Sequence, residues 1–84
     1  MEAAKIFGKV LRELRIEANL TQEQLGLEAD LRRTFISLLE LGHQQPTLTT
    51  LIKLANTLNI PAHRIIQKFE SVYLKKNLRF EINN

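Results

Sequence analysis

Apolar residues recur along most of this chain at helical spacing. Phe7, Leu11, Leu14 and Ala18 fall at i, i+4, i+7 and i+11 and are joined by Val10, which predicts an amphipathic helix over residues 3–19. Lys5, Lys9 and Arg12 share another stripe of that helix, open to two readings, plain solvation or phosphate contact. Asn19 is its expected stop, because asparagine tolerates the left-handed conformation that helix ends need. Leu25, Leu31, Ile36 and Leu39 continue the pattern, but no Gly-Pro pair separates them. Two short helices are therefore expected, Gln22–Glu28 and Arg32–Leu41, meeting at a tight corner around Ala29–Arg32. Thr21 with Gln24 three residues later is a capping-box signature, and Gly42 is a natural left-handed end for the third helix.

The remainder follows the same rhythm. His43–Thr47, HQQPT, is a loop, since Pro46 biases Gln45 away from helix. Thr47 is the expected cap of a fourth helix ending near Leu58, with Leu48, Leu51, Leu54, Ala55 and Leu58 as its buried stripe. Asn59 is its stop, and Pro61 suits the first turn of a fifth helix ending near Tyr73–Lys76. Ile65, Ile66, Phe69, Val72 and Tyr73 on that helix exceed what one small core can bury, which marks a partner surface. In the tail, Leu78, Phe80 and Ile82 alternate with Arg79 and Glu81. That pattern reads either as a strand pairing with a second subunit or as a short helix folding back.

Length and composition narrow the class. Eighty-four residues make one all-α domain near the lower limit for a self-sufficient core. There are no cysteines, so disulfides, thiolate metal sites and thiol nucleophiles are excluded, which fits a reducing cytoplasm. No segment approaches the ~20 apolar residues of a membrane span, and no signal-peptide pattern opens the chain. The net charge of +3 suits a polyanionic partner, though the excess is small. His43 and His63 lack companions at ligand spacing, so no metal or other cofactor is expected. Without a glycine-rich phosphate loop or a His–carboxylate constellation, the chain does not read as an enzyme.

The distinctive chemistry lies at the front of the third helix. Arg32, Arg33 and Thr34 are consecutive there, with Ser37 one turn on. Arginine is a poor choice beside the positive end of a helix dipole unless an external anion neutralises it. Arginine also donates bidentate bonds to guanine, and threonine offers a hydroxyl or methyl to a base edge. Glu40 falls one turn beyond Ile36 on the inward side, where an unpaired charge is costly. Arg15, beside core Leu14, is its expected ion-pair partner.

The pieces LTQEQL, RTFISLLE-x-G, P-T-L-x-T-L and KLANTLNI resemble, in order and spacing, the phage-repressor/Cro-type helix-turn-helix domain of the XRE family. The resemblance covers about Phe7 to Ile66. It implies a compact five-helix bundle that binds double-stranded operator DNA as a homodimer and regulates transcription. Residues 1–70 would be the DNA-binding domain, with the motif at about 21–42, and 71–84 a tail serving dimerisation.

On this reading Arg33 and Thr34 read bases, Arg32 and Ser37 read bases or hold phosphate, and Gln22 touches phosphate. Gln44 and Gln45 are either phosphate contacts or ordinary loop residues. The family also commonly pairs the Arg15 and Glu40 positions and keeps a small residue at Gly26. Leu38 and Leu41 depart from its polar or basic pattern. Leu38 is placed to pack on a thymine methyl, and Leu41 to support a subunit contact or the loop. With no effector domain, the chain resembles restriction–modification controller proteins and small repressors. The alternative is an antitoxin-like interaction module; a toxin or RNA polymerase would then be a further partner.

Overall fold

The computed structural model describes residues 2–76, which form five helices. These are α1 (Glu2–Glu17), α2 (Gln22–Ala29), α3 (Arg33–Glu40), α4 (Leu48–Leu58) and α5 (Ala62–Lys76). The expected helices are all present, with ends shifted by one or two residues. The tail pattern at residues 78–82 lies outside the described residues.

Helix ends explain how so short a chain turns four times. After α1, the amide of Asn19 donates to the Ile16 carbonyl and that of Leu20 to the Arg15 carbonyl. The same crossed pair of bonds closes α2, through Asp30 to Leu27 and Leu31 to Gly26. It closes α3 through Gly42 and His43, and α4 through Asn59 and Ile60. Each motif needs one residue in the left-handed region, and Asn19 (φ 60°), Asp30 (φ 59°), Gly42 (φ 79°) and Asn59 (φ 61°) fill it. At the starting ends, Thr21 and Gln24 form both halves of a capping box on α2. The Thr47 hydroxyl accepts from the Thr50 amide on α4.

One core joins the helices. Leu11, Leu25, Ile36, Leu39, Leu54 and Ile65 are wholly buried, so every helix contributes at least one anchor. Burying a side chain of this size stabilises the fold by about 1.5–3 kcal/mol. Two expected core positions are elsewhere. Ala18 lies beyond the end of α1 and is exposed. Leu48 is 81% exposed, because the buried stripe of α4 starts only at Leu51 and the capped first turn overhangs the core.

Two glycines set how closely the helices approach. A Cβ on Gly26 would lie 2.7 Å from the Leu31 carbonyl oxygen, so α2 meets the corner leading into α3 backbone to backbone. A Cβ on Gly8 would lie 2.5 Å from the carbonyl oxygens of both Leu39 and Glu40, where α1 crosses the end of α3. In an open helix Gly→Ala gains about 1 kcal/mol. Here the obstacles are main-chain atoms that cannot swing aside, and the strain wins. Gly8→Ala and Gly26→Ala should therefore each lower stability, by about 1–3 kcal/mol net, measured by thermal unfolding. A raised melting temperature in either variant would contradict the close packing.

Candidate nucleic-acid interface

The corner between α2 and α3 places the polar tip. Asp30 turns the chain left-handed, Leu31 packs half-buried against the core, and Arg32 is extended (φ −73°, ψ 143°). The Arg32 carbonyl then accepts from the amides of Phe35 and Ile36, which starts α3. No side chain caps this helix, and its first turn holds no acid. Its leading amides and positive dipole end are thus left for an acceptor from outside.

The side chains there face water. Arg32, Arg33 and Thr34 are all exposed. Among the described residues, the ion pair found is Arg15–Glu40, and neither Arg32 nor Arg33 takes part in it. Ile36 and Leu39 fill the inward side of α3 completely. The opposite side carries Thr34, Ser37, Leu38 and Leu41, of which Ser37 and Leu38 are half-buried and Leu41 exposed. Leu41 therefore continues the outward stripe, off the inward face as its spacing from Ile36 and Leu39 suggests.

Behind the tip is a charged brace. Arg15 Nε donates to Glu40 Oε2 at 2.6 Å, and Nη2 donates to Oε1 at 3.0 Å. Arg15 Nη1 donates to the Leu20 carbonyl at 2.9 Å, and Gln22 Nε2 donates to Glu40 Oε1 at 3.0 Å. The Arg15 and Glu40 side chains are 11% and 4% exposed. The hydrogen bond to Glu40 raises the Arg15 pKa, outweighing the opposing effect of burial. A raised guanidinium pKa means that this stabilisation is complete below the ordinary arginine range and is lost only as pH rises beyond it.

The link from Gln22 to Glu40 was not legible in the sequence, where Gln22 was expected to touch DNA phosphate from the first turn of α2. One of its amide hydrogens is committed to α3, and Gln22 lies at the start of α2, half-buried. Gln44 is exposed beyond α3. Gln45 is exposed as well but borders a cavity of about 190 Å³ with Pro46, Leu48, Ile66 and Phe69. Of the α5 surface set, Ile65 is a correction. It is 0% exposed and belongs to the chain's own core, whereas Ile66 (44%) and Val72 (36%) are exposed and Phe69 is half-buried. Phe69 stacks on Tyr73 with ring centres 5.4 Å apart. Among the described residues no acidic, histidine or cysteine group is assembled to hold a metal ion, and no helix is long and apolar enough to cross a membrane.

This geometry, two short helices at a tight corner with a basic uncapped tip, defines a helix-turn-helix. The helix-turn-helix family model matches residues 11–65. Control protein C.BamHI of Bacillus amyloliquefaciens is 36% identical over 56 residues, covering 66% of this chain and 69% of that protein. Control protein C.SmaI of Serratia marcescens is 35% identical over 68 residues, covering 81% of each. Among solved structures, the restriction-modification controller protein C.AhdI from Aeromonas hydrophila superposes with a TM-score of 0.75 at 32% identity. That match covers 77% of this chain and 98% of that one. The chain belongs to the helix-turn-helix family, in its XRE-type branch of DNA-binding transcriptional regulators.

The brace makes a direct prediction. Glu40→Ala strands the mostly buried Arg15 charge and should cost about 3–5 kcal/mol, seen as a large fall in melting temperature. An unchanged melting temperature would show that the pair is not supporting the fold.

Proposed function

We propose that this chain is a transcriptional regulator of the restriction–modification controller type, acting in the cytoplasm as a homodimer on a two-fold symmetric operator in double-stranded DNA. The α3 tip carries the reading: Arg32, Arg33 and Thr34 stand exposed at a helix end with neither a capping side chain nor an acid in its first turn. With α3 in the major groove, Arg33 and Thr34 read base edges. Arg32 and Ser37 read flanking positions or hold phosphate, and Leu38 provides apolar contact. Gln22, held by Glu40, fixes the docking through the DNA backbone, which positions without specifying. Gln44 and Gln45 flank it on the following loop.

Magnitudes call for two copies. One or two good base contacts, at about 1–3 kcal/mol each, fall short of the roughly 4–10 kcal/mol that separates specific from non-specific sites. A second subunit doubles the contacts if the two reading helices sit ~34 Å apart. The surface suited to joining them is apolar. Leu48 (81% exposed), Ile66 (44%) and Phe69 border one cavity, and Ile52 (50%) lies one turn from Leu48. Tyr73, stacked on Phe69, extends it along α5, while Val72 lies on the side of α5 that faces α1. No observation on the described residues favours the antitoxin-like alternative.

Two measurements test this. By fluorescence anisotropy, Arg33→Ala should weaken the cognate duplex by about 5- to 150-fold, which corresponds to one lost bidentate contact, and change random DNA little. Gln22→Ala should weaken both alike. Equal losses on cognate and random DNA from Arg33→Ala would remove that residue from the reading role. In sedimentation, Ile66→Asp should convert a dimer into monomers; an unaltered dimer would place the contact elsewhere.

A further inference from the structure

The outward stripe of α3 changes character along its length. Thr34, Leu38 and Leu41 fall at i, i+4 and i+7, so they share one face, and the polar tip gives way to two leucines. Neither leucine is needed inside, because Ile36 and Leu39 already occupy the core side at 0% exposure. Leu41 is 59% exposed and Leu38 half-buried. The same helix begins with two exposed arginines, whose charge suits a polyanion along this face.

A leucine has no hydrogen-bond donor or acceptor, so it is blind to most of the major-groove pattern. The apolar feature that base edges show there is the methyl group at C5 of a pyrimidine. Leu38 stands about 6 Å along the helix axis from Thr34, roughly two base steps beyond the bases that the tip would meet. We propose that Leu38 reads a pyrimidine 5-methyl group in the operator, with Leu41 covering that contact from water. This rests on the DNA-binding role proposed above and specifies one chemical feature of the site. The methyl group has two sources, thymine and 5-methylcytosine, and the test distinguishes them.

The experiment starts from a duplex enriched by the whole chain out of a random pool. In that duplex each thymine is replaced singly by deoxyuridine, and each cytosine by 5-methylcytosine. At one position per half-site, removing the thymine methyl should weaken binding about fourfold, or adding a cytosine methyl should tighten it about fourfold. That is the factor expected for burying one methyl group. The arm that responds identifies the source. In Leu38→Ala the ratio between methylated and unmethylated duplex should fall to one. Leu38 is half-buried, so Leu41→Ala, at an exposed position, provides a second variant in which the ratio should also fall. A wild-type protein indifferent to every methyl change overturns the proposal, as does a ratio that both variants retain. A pool without an enriched duplex would instead remove the DNA-binding role itself, and the methyl readout with it.

Discussion

The position of α3 depends on one carboxylate. Glu40 receives two bonds from Arg15 on α1 and one from Gln22 on α2, and Arg15 also donates to the carbonyl of Leu20 between them. Two helices thus converge on the two carboxylate oxygens of a third, and Arg15 ties in the connection between α1 and α2 as well. Apolar packing alone resists separation but is tolerant of sliding, since hydrophobic attraction has little direction. Bonds to a planar guanidinium fix an angle. Held this way, α3 presents its basic tip at one orientation, and Gln22 is fixed relative to that tip by the same carboxylate. Any ligand contacting both would meet a pre-set spacing, which limits the ordering cost of binding.

Close approach is the second condition for this arrangement. The bonds to Glu40 require α1 to lie against the end of α3, and only the missing side chain of Gly8 allows it. Gly26 does the same for α2 and the corner. The left-handed residues complete the frame by ending four helices within a single residue each, so no long loop loosens the corners. Charge, close packing and turn chemistry therefore cooperate over residues far apart in the chain.

Much of this was legible in the order of residues, for identifiable reasons. Asn19, Gly42 and Asn59 are residue types that accept a positive φ, and Thr21 with Gln24 forms a local cap, so helix ends were readable from neighbours alone. The Arg15–Glu40 pair was readable because a glutamate on an inward stripe demands a cation. Asp30 was not singled out, since aspartate serves as readily in a cap or on a solvated turn. Nothing in the local sequence points to Gly8, because its purpose is visible only when α3 lies across it. Leu48 fits the heptad-like stripe of α4 but sits in an overhanging turn, and Ile65 matched the surplus on α5 while the core claimed it. Periodicity identifies a face; it does not say how far the core extends beneath it.

The charge distribution bears on how the proposed regulator would search DNA. Twelve basic residues oppose nine acidic ones, and Arg15 is committed to an internal pair. Non-specific affinity comes almost wholly from cations that displace counterions at phosphates. With so small a surplus, the proposed regulator would hold random DNA weakly and leave it readily. In the proposed dimer, specific binding would then come from correctly spaced base contacts, which two joined subunits would supply and one would not. A shallow electrostatic hold and a rigid reading head are complementary. On the proposed reading, the first would prevent trapping on the wrong sequence, and the second would let the right sequence be met without rearrangement.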